Sequence, residues 1–162
     1  MKDERLNRLA HLLINYSVRL KKGEKVMIEV KNQGDTCFLK YLMAEALKVG
    51  GIPIPLITDD RAVRSLISGA SIPQMKEFGK VQLSLMKQMD AYIGVRGTRN
   101  AFQTAKLGSD QLKNYSLNFM QPVHMKWRVP KTKWVVLRWP DDAMAQLAEM
   151  PTEEFEDYYF NT

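Results

Sequence analysis

The sixteen residues from Lys133 to Ala148 constrain the fold more than any other stretch of the chain. Trp134, Val135, Val136 and Leu137 form a continuous apolar run, the pattern of a strand covered on both faces. Pro140 has no N–H to donate and ends such a ladder. It is also suited to a first helical turn, where Asp141 and Asp142 beside it favour the positive end of the helix dipole. A second helix is expected from Thr152, with Glu153 and Glu154 in its first turn and Phe155, Tyr158 and Tyr159 spaced at three and four.

The rest of the chain repeats this strand-then-helix alternation. An amphipathic helix over residues 3–20 carries Leu6, Leu9, Ala10, Leu13, Ile14 and Ser17 at helical spacing, and Gly23 ends it. A strand over residues 25–30 leads through Asn32-Gln33-Gly34-Asp35 into a helix capped by Asp35 and running to Lys48, with Leu39, Leu42, Met43, Ala46 and Leu47 turned inward. Gly50-Gly51 stops that helix. In the second strand, residues 52–58, Pro53 and Pro55 fit an edge better than the centre of a ladder. Asp59-Asp60 opens a short helix to Ser68. Ser71-Ile72-Pro73-Gln74 has the spacing of a capping box and starts a long helix ending near Met89, whose inward stripe is Met75, Phe78, Gln82, Leu85, Met86 and Met89. A third strand spans residues 90–97, a loop follows from Thr98 to Phe102, and residues 110–126 supply one or two further helices. Such alternation predicts a three-layer α/β/α domain on a mostly parallel sheet of about four or five strands, with the flavodoxin-like strand order as the natural guess.

A chain of 162 residues suits one domain. Its net charge of +6 raises the question of nucleic acid. Residues 1–25 hold seven Lys/Arg against three Asp/Glu, residues 131–162 three against seven, and the middle fourteen against eight, so no dense basic block exists. Nucleic-acid binding is therefore not expected. The charged N-terminal run Met1-Lys2-Asp3-Glu4-Arg5, with no long apolar stretch after it, predicts neither a signal peptide nor a membrane span. The single cysteine, Cys37, cannot form an internal disulfide, and a cytoplasmic location is the simplest expectation.

Chemistry is sparse. Metal sites gather several His, Cys or carboxylate ligands, yet His11, His124 and Cys37 are the whole stock of the first two kinds. No His-Glu-x-x-His pattern is present, and each histidine reads as a solvated or capping side chain. Ligands of open parallel sheets bind beyond the carboxyl ends of strands. Arg96, Arg99 and Asn100 follow the third strand, and Arg138 and Trp139 follow the last, so these five are the expected contacts with a substrate or another domain. An arginine there suits a carboxylate partner, although a surface charge without a task is the commoner case. The loop at Asn32 to Asp35 has one glycine, short of a nucleotide-binding fingerprint.

Trp134-Val135-Val136-Leu137-Arg138-Trp139-Pro140, Ala143-Met144-Ala145-Gln146-Leu147-Ala148 and Thr152-Glu153-Glu154-Phe155-Glu156-Asp157 closely resemble the aminopeptidase T family of thermophilic metal-dependent aminopeptidases. Arg8-Leu9-Ala10, Tyr16-Ser17 and Lys22-Gly23-Glu24-Lys25-Val26 resemble the same family's opening helix and first strand. The resemblance covers most of these residues but only the family's first half. It implies that residues 1–162 are a single N-terminal α/β domain of a longer aminopeptidase, inactive alone, with the catalytic metal-binding domain beyond Thr162. It further implies two divalent metal ions of the Zn, Co or Mn type, held by that second domain, and a metal-bound water that attacks a peptide substrate. No position here matches a metal ligand of the family, so neither a catalytic nor a metal-binding residue is expected in this chain. A homodimer is a further implication. The aromatic stripe Phe155, Tyr158, Tyr159 and Phe160, with no glycine stop after it, suits packing on this domain's own core as well as it suits a chain that continues, and the resemblance favours the latter. The competing expectation is a free-standing module that holds a small anionic ligand at Arg96, Arg99 and Arg138.

Overall fold

Four parallel strands in the order β2-β1-β3-β4 form the sheet: β1 is Lys25–Lys31, β2 Ile52–Thr58, β3 Ala91–Arg96 and β4 Lys133–Arg138. This is the computed structural model of the chain, and it describes residues 3–32 and 37–161. The order agrees with the first four strands of a flavodoxin-like sheet. The expected N-cap Asp35 lies outside the described residues. β1 and β3 are central, with Ile28 opposite Ile93 and Val30 opposite Val95. Both are apolar almost throughout, as burial between two layers of helices requires.

One layer of helices consists of α1 (Glu4–His11, continued by wider π-helical turns over Leu12–Ser17) and α2 (Cys37–Lys48). Leu6, Ala10, Leu13, Ile14, Phe38, Leu42 and Ala46 pack there on Val26, Ile28, Val30, Ala91, Ile93 and Val95. The other layer holds α3 (Asp60–Gly69), α4 (Ile72–Met86) and a long helix that starts as α5 (Ser109–Tyr115), widens into π-helical turns over Ser116–Arg128 and closes as α6 (Val129–Lys131). Met27 and Tyr92 from the sheet meet Met86, Met89 and Val123 on this side. After β4 come α7 (Asp142–Leu147) and α8 (Thr152–Asn161).

Several boundaries follow local chemistry. Asp59 caps α3, and Ser71 with Gln74 forms the capping box of α4. The Ile52 N–H donates to Glu24 O at 2.8 Å. Backbone groups alternate sides along a strand, so Pro53 and Pro55 fall where the N–H would point out from the sheet, and edge strand β2 tolerates both.

Other expectations fail for identifiable reasons. Ser17 is exposed while Val18 is fully buried, because the Val18 N–H reaches back five residues to Leu13 O at 3.0 Å and the wider turn moves the buried stripe on by one position. Leu47 is 60% exposed, and Phe38 and Tyr41 take inward places on α2. α4 ends at Met86 rather than Met89, although Met89 remains buried in the turn beyond. β4 is not covered on both faces: it is an edge strand, and Trp134 and Val136 are 43% and 37% exposed, while Val135 and Leu137 pack on the α1/α2 side. Pro140 lies before α7 rather than in its first turn, and the carboxylate of Asp141 caps the helix by accepting from the Met144 N–H at 3.0 Å. In α8, Phe155 is buried and Tyr158 is 61% exposed.

Candidate functional site

Glu29 is the one charged residue within the apolar run from Val26 to Val30, and it faces the α4 side of the sheet with Tyr92 and Arg96 of β3. Arg96 Nη1 lies 3.0 Å from Glu29 Oε2. The Tyr92 hydroxyl donates to the same carboxylate and accepts from Arg96 Nη2, and Thr58 Oγ1 donates to Glu29 Oε1 at 3.4 Å. Burial works to raise the Glu29 carboxyl, but Arg96 and Tyr92 outweigh it and hold the group below the ordinary carboxylate range. Burial and the adjoining Glu29 charge push the Tyr92 phenol upward, so it stays protonated as the donor of this triad.

The long helix completes the site from above. Phe119 and His124, five residues apart, meet edge to face with centroids 5.2 Å apart, a pairing that suits the longer turn of a π-helix. His124 Nδ1 accepts from Arg128 Nε at 3.0 Å, which leaves the imidazole proton on Nε2. Burial lowers the His124 pKa to about 4, so the ring is neutral near pH 7. The Arg128 guanidinium lies 4.9 Å from the Tyr92 ring and 4.7 Å from the Trp134 ring. α4 comes close enough to the π-helical turns that a Cβ on Gly79 would stand 1.8 Å from Asn118 O. That approach brings Phe78 and Gln82 to the same cavity of about 460 Å³ that Glu29, Arg96, Tyr115, His124 and Arg128 line. Burial pushes the Tyr115 phenol up to about 12.

The five residues expected at strand ends are divided among four places. Arg96 belongs to this cavity and is already paired with Glu29. Asn100 and Arg138 border a separate hollow of about 240 Å³ with Lys31, Asp60 and Thr98. Arg99 is exposed and its Nε donates to Asn32 O at 3.4 Å. Trp139 lies in the other layer, stacked on Phe38 at 5.0 Å. The anion site expected from Arg96, Arg99 and Arg138 together is therefore not assembled.

Between the two hollows, Lys31 Nζ pairs with Asp60 Oδ1 at 2.6 Å. Asn32, at the end of β1, donates to Gly97 O at 3.0 Å and accepts from the Asp60 N–H at 2.7 Å, so its side chain closes the crevice between the two central strands.

The expectation for His124 as a solvated or capping side chain is overturned, for it is only 7% exposed. His11 keeps its place on the polar side of α1, with Nδ1 2.9 Å from Glu45 Oε1 and a contact to Asn15. Glu29 had a sequence signal, a lone charge in a buried strand. His124 and Arg128 had a weaker one, their spacing of four.

Among the described residues, no three His, Cys, Asp or Glu side chains form a group that fits a metal ion. The donors of the cavity do not suit one either, since Glu29 is bound by Arg96 and Tyr92 beside a second guanidinium. No helix among the described residues is long and apolar enough to cross a membrane.

Among solved structures, wild-type AmpT from Thermus thermophilus superposes with a TM-score of 0.72 at 16% identity, over 98% of this chain and 42% of that one. The chain thus spans less than half the length of that relative, and the likeness establishes the α/β fold. A CurK enoyl reductase aligns at a TM-score of 0.37 and 9% identity, over 96% of this chain and 48% of its own, too slight a likeness to support a conclusion. No curated protein matches the sequence significantly. The sequence matches the thermophilic metalloprotease (M29) family over residues 2–162, nearly its whole length, and the chain belongs to that family, the aminopeptidase T family.

Proposed function

We propose that this chain is the N-terminal scaffold domain of a metal-dependent aminopeptidase and walls the cleft in which a peptide loses its first residue. The observation that carries the reading is the family match over residues 2–162 in a chain that spans 42% of AmpT. Two divalent ions, of the Zn, Co or Mn type, would belong to a second, catalytic domain. Arg138 and Asn100, which border a hollow at the carboxyl ends of the strands, would meet that domain or the peptide. Assembly as a homodimer and a cytoplasmic location complete the reading, the latter supported by the single cysteine.

The experiment is a pair of measurements. The 162-residue chain, supplied with Zn²⁺, Co²⁺ or Mn²⁺, is expected to release no amino acid from a peptide panel, and the gene product isolated from its source cells is expected to exceed 18.7 kDa. Metal-dependent release by the 162-residue chain would overturn the division of labour. A native mass of 18.7 kDa would overturn the scaffold reading itself.

A further inference from the structure

Two of the three cationic side chains that line the cavity between the sheet and the long helix have carboxylate partners. Arg96 pairs with Glu29 at 3.0 Å and Lys31 with Asp60 at 2.6 Å, and the lining carboxylate Asp59 is itself paired with Arg61 at 3.1 Å. Arg128 differs. It is only 7% exposed, its Nε is engaged by a neutral histidine, and its Nη1 is the buried side-chain nitrogen or oxygen that has no hydrogen-bond partner among the described residues. A buried guanidinium that meets a neutral imidazole and two ring faces, and whose Nη1 has no acceptor among the described residues, is short of what would offset its desolvation.

The surroundings specify what would satisfy it. With the other cations paired, one uncompensated positive charge faces the cavity, which favours a monoanion; the ionised Glu29 close by disfavours a dianion. The planar fork of an arginine matches a carboxylate. Leu56, Val63, Leu66, Phe78, Phe119 and Met120 line the same cavity and supply apolar surface for the body of a ligand. We propose that this cavity binds a small monocarboxylate with an apolar body, its carboxylate accepting from the Arg128 guanidinium and its chain or ring lying against that wall. The site stands independently of the peptidase reading, because it uses no metal and no residue beyond this chain.

Calorimetric titration of the chain with butanoate, hexanoate and 3-phenylpropanoate tests it. Saturable binding of one equivalent is expected, tightening as the apolar body grows, with 3-phenylpropanamide at least about tenfold weaker because it lacks the charge that the guanidinium recognises. Arg128→Met should abolish binding while leaving the ligand-free melting temperature unchanged or higher, since it removes an uncompensated buried charge and keeps an apolar stem. Val63→Phe, which fills the apolar end and leaves Arg128 in place, should abolish binding of 3-phenylpropanoate. Failure of all three acids to bind would overturn the proposal. So would equal binding of acid and amide, undiminished binding by both variants, or equally tight binding of inorganic phosphate.

Discussion

The two faces of the sheet solve the problem of burial differently. On the α1/α2 face, Val26, Ile28, Val30, Ala91, Ile93 and Val95 meet Leu13, Ile14, Phe38 and Leu42, and shape alone decides the fit. On the opposite face the same two strands present Glu29, Tyr92 and Arg96 to His124 and Arg128, around a cavity. The strands are shared, so the difference comes from the alternate residues along each strand and from the helices laid over them. The larger apolar cluster lies on the α1/α2 face, and the buried ionisable groups gather on the other beside a smaller one.

The comparison can be broken most forcefully at Phe38. This ring is fully buried and stacks on Trp139, so Phe38→Ala should cost about 4 kcal/mol through lost transfer energy and a cavity that dense packing cannot close. Urea denaturation at pH 7 measures it, and a loss below about 1 kcal/mol would mean that the apolar face does not carry the fold. On the other face, Glu29→Gln should cost about 3 kcal/mol, because Arg96 then stays buried without its carboxylate. Little change in the same assay would show that the triad is solvated rather than paired.

The third test uses pH. His124 titrates near 6.5 in an unfolded chain and at about 4 in the folded one, where burial and the nearby Arg128 and Arg96 oppose protonation and Glu29 favours it. Between those values the unfolded chain binds more protons, so stability falls as pH drops. The loss from pH 7 to pH 5 should be about 2 kcal/mol, and His124→Gln should remove most of it. Glu29 adds its own loss on further acidification, as pH falls from the ordinary carboxylate value toward its lower folded one. An unchanged slope in the His124→Gln protein would place the titrating group elsewhere.

The apolar face was largely legible in the sequence. Leu6, Ala10, Leu13 and Ile14 keep α-helical spacing; away from that face, the Ser71 capping box of α4 and the two prolines of edge strand β2 also state their positions through backbone hydrogen bonding. The polar face was not. Phe119 and His124 meet across a turn with a period that a pattern of 3.6 does not reveal, and Arg96 reads from sequence as a free strand-end charge because its partner Glu29 lies 67 positions earlier. The expected burial of both faces of β4 failed for a related reason. A run of four apolar residues does not say whether a neighbouring layer extends far enough to cover it.

The prolines of β2 have a consequence at the scale of assembly. Pro53 and Pro55 occupy two of the three outward-facing positions between the ends of that strand, which leaves Ile57 to supply the outward N–H there. At the opposite margin, Lys133 and Trp139 turn inward to Asp90 and Arg96, so Trp134, Val136 and Arg138 all direct their N–H groups away from the sheet. The sheet therefore behaves like a polymer chain capped at one end and reactive at the other: any further strand, whichever molecule supplies it, has its template at β4 and is refused at β2.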